Sequence, residues 1–124
     1  MLNIAQIGVG YWGPNLLRNL ISNKNCNVSW VADLSGERRD YVRGLYPGVT
    51  VTDDVERVFQ NPEIAAVVIA TPVETHFDLA MKALKAGKHI LVEKPLARSV
   101  EEVEQIGEVA AKESLVAMVG HTFL

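Results

Sequence analysis

The segment LNIAQIGVGYWGPNLL, residues 2–17, decides the fold of this chain of 124 residues. Its first six residues are mainly apolar and predict a β-strand. Three glycines then follow in the pattern G-x-G-x-x-G, at Gly8, Gly10 and Gly13. Pro14 suits the first turn of a helix, because its missing N–H would have no partner there. A strand that enters a helix through such a turn is typical of the first unit of a doubly wound sheet.

Similar apolar runs recur along the chain and predict six strands. They do not alternate polar with apolar residues, which indicates strands that are buried on both faces of a parallel sheet. The predicted strands are Leu2–Ile7, Val28–Ala32, Val49–Val51, Ala65–Ala70, His89–Val92 and Leu115–Val119. Stretches with helical spacing separate them. We therefore predict a single α/β domain over residues 1–124, a Rossmann-type, doubly wound, six-stranded parallel sheet.

Residues that favour helix ends support this alternation. Thr75 with Asp78 predicts the start of a helix that Gly87 would close, and Ser99 with Glu102 forms the pattern of a capping box. The other helices are predicted after Pro14, over Gly36–Leu45 and over Asp53–Gln60.

Composition narrows the class of partner. Fifteen acidic and twelve basic residues give a net charge of -3, which argues against binding nucleic acid or an anionic membrane. No apolar run approaches the roughly 20 residues that span a bilayer, and the N-terminus lacks the features of a leader peptide. The single cysteine, Cys26, agrees with a reducing compartment and is expected to be a small filler residue. We expect a cytoplasmic protein with a small-molecule partner and no metal.

The glycine pattern predicts a dinucleotide site. The first glycine, Gly8, would allow a tight turn, and Gly10 would let the backbone approach a pyrophosphate. Gly13 would let the helix pack closely on the sheet, with its N-terminus facing the anion. Tyr11 and Trp12 lie inside this loop and are predicted to contact the cofactor with it.

An acidic residue after the second strand bears on the choice of cofactor. Asp33 lies twenty residues after Gly13, where a carboxylate accepts hydrogen bonds from the adenosine ribose and would repel a 2'-phosphate. This favours NAD, although Arg38 and Arg39 leave NADP open. Asp33 could alternatively cap the turn before Ser35.

Two further segments follow predicted strands, and the carboxyl ends of parallel strands meet at one crevice. The first segment, residues 71–76, ends in His76. This histidine could lie in the crevice, or it could be a surface or capping histidine. The other contains Lys94 between an acid and a proline. Such a lysine can be held near a substrate hydroxyl with a lowered pKa, or it can be a solvated turn residue.

Together these motifs resemble a known family. The segments GVGYWGPNLLRN at 8–19, TPVETH at 71–76, EKPLA at 93–97 and GHTF at 120–123 resemble the N-terminal domain of Gfo/Idh/MocA oxidoreductases, especially the nucleotide-sugar branch. The resemblance implies hydride transfer between a nicotinamide cofactor and a sugar or nucleotide-sugar alcohol. It assigns Gly8, Gly10, Gly13 and Asp33 to the dinucleotide, Thr71, Pro72 and His76 to its nicotinamide half, and Glu93 to the junction with substrate. Lys94 would be the catalytic lysine, and His121 would lie at the substrate edge.

Members of that family carry a second domain that supplies most sugar contacts. We therefore expect this chain to be the cofactor-binding half, incomplete for catalysis, with exposed apolar surface that favours dimers or aggregation. Two other functions stay open, a stand-alone NAD(H)-binding regulatory module and, less favoured, a methyltransferase of related fold.

Overall fold

A computed structural model describes residues 2–10, 13–93 and 95–120. The strands are β1 Leu2–Ile7, β2 Cys26–Ala32, β3 Thr50–Thr52, β4 Ala66–Ile69, β5 His89–Glu93 and β6 Ala117–Gly120. The α-helices are α1 Gly13–Ser22, α2 Gly36–Leu45, α3 Val55–Phe59, α4 His76–Lys85 and α5 Val100–Lys112, and a 3-10 turn, Val73–Thr75, precedes α4. Within the described ranges, no helix is long and apolar enough to cross a membrane.

The strands form one sheet in the order β3-β2-β1-β4-β5-β6, and every neighbouring pair is parallel. This confirms the predicted doubly wound sheet. The chain order reverses direction between β1 and β4, which are adjacent in the sheet. The connections leave β1 and β4 toward opposite sides, so a crevice opens beyond their carboxyl ends.

Helices cover both faces of the sheet. On one face, Leu17 of α1 and Val42 of α2 are fully buried in a cluster with Val31 of β2. On the other, Leu84 of α4 and Ile106 of α5 are fully buried in a larger cluster that includes the central strands. Burying one such side chain stabilises the folded state by roughly 1.5–3 kcal/mol. The two helix layers therefore hold the carboxyl ends of the strands in fixed positions.

The predicted signals at two helix ends are confirmed in outline. Gly87 has φ +82° and its N–H donates to Leu84 O at 3.0 Å, which closes α4 as expected. Ser99 Oγ accepts from the Glu102 N–H at 3.2 Å. The return bond of this capping box differs, because Glu102 Oε1 accepts from the Arg98 N–H.

The prediction that Thr75 caps α4 is wrong. Thr75 makes no side-chain capping bond, because the preceding 3-10 turn already places it in helical conformation. Its hydroxyl instead donates to Pro72 O at 2.6 Å. The remaining differences are boundaries. Only β1 and α2 keep both predicted bounds. The strand β2 keeps its end at Ala32 and β5 keeps its start at His89. The other predicted strand ends and both ends of α3 move by one or two residues, so that β2 begins at Cys26 and α3 is confined to Val55–Phe59.

Candidate functional site

A cleft of about 740 Å³ lies at the carboxyl ends of β1, β2 and β4. Its volume is within the usual range of small-molecule and cofactor sites, roughly 300–1,000 Å³. The predicted site residues that line it are Gly8, Gly10, Asp33, Thr71 and Pro72, and Arg38 lines it as well. The tertiary structure therefore brings the glycine turn, the acidic residue and the segment after β4 to one place.

The three glycines have different roles. Gly8 has φ +93°, and a Cβ there would lie 2.7 Å from Ala70 O, so only glycine fits without a shift of the backbone. A Cβ at Gly13 would lie 2.9 Å from Gly8 O. Gly10 differs, because a Cβ there would meet no atom of the described residues within 4 Å. The first and third glycines are thus required by packing, whereas the second faces the open cleft.

Asp33 anchors the turn from the neighbouring strand. Its Oδ2 accepts from the Val9 N–H and its Oδ1 from the Ser35 N–H, both at 2.9 Å. The carboxylate therefore caps the turn before Ser35, which was one of the two interpretations from the sequence, and it also lines the cleft.

The two arginines that follow Asp33 differ in what their side chains contact. Arg39 Nη1 donates to the Asp33 carbonyl oxygen at 2.9 Å, so its side chain is committed to the backbone. Arg38 is exposed and lines the cleft. Of the two arginines, Arg38 lines the cleft and Arg39 does not.

Gln6 is a residue that the sequence analysis missed. It is fully buried in β1, and its Nε2 donates to Gly8 O and Gly13 O, each at 2.9 Å. The signal in the sequence was an amide between apolar residues near the end of a predicted strand, and burial of an unpaired amide is costly. Such a residue predicts a specific partner without identifying it.

His76 is not a surface histidine, because it is only 2% exposed. Its Nδ1 lies 2.8 Å from Pro95 O and its Nε2 lies 2.7 Å from Thr71 O. A carbonyl oxygen only accepts hydrogen bonds, so both contacts are hydrogen bonds when both ring nitrogens carry protons. The ring therefore ties the segment after β4 to the segment after β5.

Glu93 ends β5 beside this histidine. Its Oε1 is buried and has no hydrogen-bond partner among the residues described. Burial raises the pKa of the Glu93 carboxyl above its ordinary value, and the nearby His76 lowers it in part. The predicted site residues Tyr11, Trp12, Lys94 and His121 lie outside the described residues.

The parallel sheet, the glycine turn and the cleft at the switch point define a Rossmann-type nucleotide-binding domain. Residues 2–121 match a family described as an oxidoreductase family with an NAD-binding Rossmann fold, Gfo/Idh/MocA. The chain belongs to this family. It is an NAD-binding oxidoreductase domain whose cofactor is a nicotinamide dinucleotide. In the described part of the chain, no group of three or more acidic, histidine or cysteine side chains could hold a metal ion.

Two curated relatives and one solved structure illustrate the similarity. The chain is 34% identical to scyllo-inositol 2-dehydrogenase (NAD(+)) of Bacillus subtilis, over 94% of this chain and 34% of the relative. It is 28% identical to scyllo-inositol 2-dehydrogenase (NADP(+)) IolW of the same organism, over 73% of this chain and 25% of that one. GenD2 from gentamicin A biosynthesis, solved in complex with NAD, aligns with TM-score 0.91 and 28% identity over 96% of this chain and 34% of that one. The chain thus spans about one third or less of each relative.

Proposed function

We propose that the cleft binds NAD in preference to NADP. We further propose that the complete protein transfers a hydride between this cofactor and a secondary alcohol of a sugar or nucleotide sugar. Asp33 is the observation that carries the cofactor preference. Its carboxylate is fixed by two backbone N–H groups, and each oxygen keeps lone-pair capacity for a ribose hydroxyl.

The charges around Asp33 support NAD over NADP. A 2'-phosphate would bring negative charge to a carboxylate that cannot turn away, because Val9 and Ser35 hold both of its oxygens. Arg39 is hydrogen-bonded to the Asp33 carbonyl, so that Arg38 is the one basic residue, among those described, that lines the cleft and could compensate this charge. An exposed, flexible arginine gains little from pairing in water.

The topology supports our placement of the remaining parts of the cofactor. The pyrophosphate would lie over Gly10, which lines the cleft and precedes the N-terminus of α1 at Gly13 by three residues. The nicotinamide half would extend toward Thr71 and Pro72 after β4. His76 would act there by holding that segment against Pro95, because both its ring nitrogens already contact carbonyl oxygens. Direct contact of His76 with the nicotinamide remains a prediction.

The catalytic assignment rests on the family resemblance. Lys94 follows Glu93 directly at the end of β5, and we propose that it positions or deprotonates the substrate hydroxyl. Glu93 would border both cofactor and substrate, and His121 would contact the substrate. A nicotinamide held beside Thr71 and Pro72 would supply the hydride chemistry of the reaction. We propose that a second domain of the complete protein supplies the substrate contacts, as the family resemblance implies.

A calorimetric titration with NADH and NADPH tests the cofactor site. We expect saturable binding of NADH with a lower dissociation constant than NADPH, and an increase of about tenfold for NADH in Asp33→Ala. Asp40→Ala is the matched control, since Asp40 is an exposed acid of α2 that pairs with Arg43. Equal loss in both variants, or no binding of either nucleotide by the folded chain, would refute the proposed site.

A second substitution tests the catalytic proposal. Lys94→Met in the complete protein should abolish turnover while the affinity for NADH stays within about twofold. An active Lys94→Met enzyme would instead favour a binding module that needs no lysine at this position.

We also propose that the chain associates with itself. Along the edge strand β6, Met118 is 57% exposed and Val119 is 41% exposed, and Val116 just before them is 53% exposed. Contiguous exposed apolar surface favours association. Sedimentation of a monomer at high protein concentration would contradict this proposal.

A further inference from the structure

We propose that Gln6 is a positioning residue for the pyrophosphate-binding loop. Its side-chain amide holds the two ends of the glycine turn, at Gly8 and Gly13, in the arrangement that receives the pyrophosphate. This inference rests on the proposed placement of the pyrophosphate over Gly10.

The geometry of the amide is specific. A primary amide carries two N–H bonds, and Gln6 Nε2 lies 2.9 Å from each of two carbonyl oxygens, Gly8 O and Gly13 O. These carbonyls lie at the first and last glycine of the turn, five residues apart in the chain. One side chain in β1 therefore fixes both the exit of the strand and the entry into α1.

The first peptide group of the turn is held from two sides. Its carbonyl, Gly8 O, accepts from Gln6, and its N–H, on Val9, donates to Asp33 Oδ2 at 2.9 Å. The carbonyl is thereby directed toward the buried amide. A carbonyl oxygen facing the cleft would repel the pyrophosphate, since both carry negative charge. The hydrogen bonds from Gln6 and to Asp33 thus fix which polar atoms of the turn face a bound dinucleotide.

Packing alone does not account for a glutamine here. Its neighbours in β1, Ile4, Ala5 and Ile7, are buried and apolar, and an apolar residue would fill the same space. Gln6 Oε1 is buried without a hydrogen-bond partner among the described residues, which costs free energy. The two bonds made by Nε2 explain why the amide is tolerated.

The test compares two ligands that differ by the diphosphate group. We expect Gln6→Met, which keeps the length of the side chain and removes both donors, to raise the dissociation constant of ADP about tenfold. The dissociation constant of adenosine should change by less than about twofold, because adenosine lacks the group that the turn receives. Gln105→Met, at an exposed position of α5, is the matched control and should change neither constant.

Each outcome separates the possible causes. Unchanged ADP affinity in Gln6→Met, or equal weakening of ADP and adenosine, would overturn the positioning role while leaving the cofactor site intact. Failure of the unsubstituted chain to bind ADP would instead overturn the proposed site, and this inference with it.

A measurement on the unsubstituted chain does not depend on the variant folding. The two side-chain amide protons of Gln6 should exchange slowly with solvent in NMR spectra, and their shifts should respond to ADP and not to adenosine. Fast exchange, or the same response to both ligands, would overturn the proposal.

Discussion

Asp33 and Val9 are 24 residues apart in the chain, yet Oδ2 of Asp33 accepts a hydrogen bond from the Val9 N–H at 2.9 Å. This bond joins the end of β2 to the glycine turn after β1. The carboxylate that we propose contacts the ribose of a dinucleotide therefore also shapes the turn that would receive its phosphates. Substitution of Asp33 should alter both functions.

Removal of this carboxylate should change cofactor preference. In Asp33→Ser the ratio of the NADPH to the NADH dissociation constant should fall by at least about tenfold, because the charge that repels a 2'-phosphate is gone. Adding Arg38→Ala should reverse part of the change, since Arg38 lines the same cleft. Titrations of both variants at one ionic strength give the ratio, and an unchanged ratio would contradict the role given to Asp33.

The tight turn predicts a large difference between two glycines. Gly8→Ala should lower the free energy of unfolding by about 2–4 kcal/mol, because its Cβ would lie 2.7 Å from Ala70 O at a φ of +93°. Gly107→Ala is the control, since a Cβ in the middle of α5 meets nothing within 4 Å. It should raise stability by about 0.5–1 kcal/mol. Urea denaturation measures both changes, and equal effects would be inconsistent with the described turn.

The buried histidine should be essential to stability. His76→Ala leaves the carbonyl oxygens of Thr71 and Pro95 without their partner and opens a cavity, so we expect a loss of about 2–4 kcal/mol. His89→Ala should cost less, because His89 is half-buried and makes one bond, from the Val116 N–H. Denaturation curves of the two variants provide the comparison. A smaller loss for His76 would argue against its bridging role.

Glu93 predicts a dependence of stability on pH. Because burial raises its pKa in the folded state, the native protein holds this proton more tightly than the unfolded chain does. Its contribution is fully present below the ordinary pKa, near 4.5, and is lost as pH rises through the raised value. Glu93→Gln should thus gain stability relative to the parent as pH rises from about 4 to 7. Thermal unfolding of the parent and of Glu93→Gln at each pH gives the difference in stability, and a difference that does not change with pH would contradict a raised pKa of Glu93.

Burial of Lys88 predicts that the free energy of unfolding rises with pH in the alkaline range, the opposite of the effect of Glu93. It is 4% exposed, its Nζ donates to Asn61 O, and burial lowers its pKa below the ordinary 10.5. The unfolded chain then binds more protons than the native one, so stability rises with pH between the lowered value and 10.5. The parent should gain stability relative to Lys88→Met over that interval. If the difference in the free energy of unfolding between the parent and Lys88→Met does not change with pH, burial does not disfavour the charged form of Lys88.

Local patterns were sufficient for most of the fold. Strands with two apolar faces and helices with one apolar stripe bury themselves in only a few ways, so six alternating units predicted the parallel sheet. The glycine pattern and Asp33 predicted the main cleft residues because each follows a strand, and the carboxyl ends of parallel strands meet at one crevice. Helix starts were harder to predict. The prediction that Thr75 caps α4 was wrong because a capping pattern does not indicate the 3-10 turn that precedes the helix.

The sequence by itself determined the class of fold, the position of the glycine turn and the resemblance to a family, because these depend on residues close together in the chain. Only the tertiary structure decided that Gln6 clamps the turn and that His76 is buried between two loops. It also decided that Arg38 rather than Arg39 lines the cleft. Those features depend on which atoms the packed strands bring within hydrogen-bond distance, and no periodicity in the sequence encodes such distances.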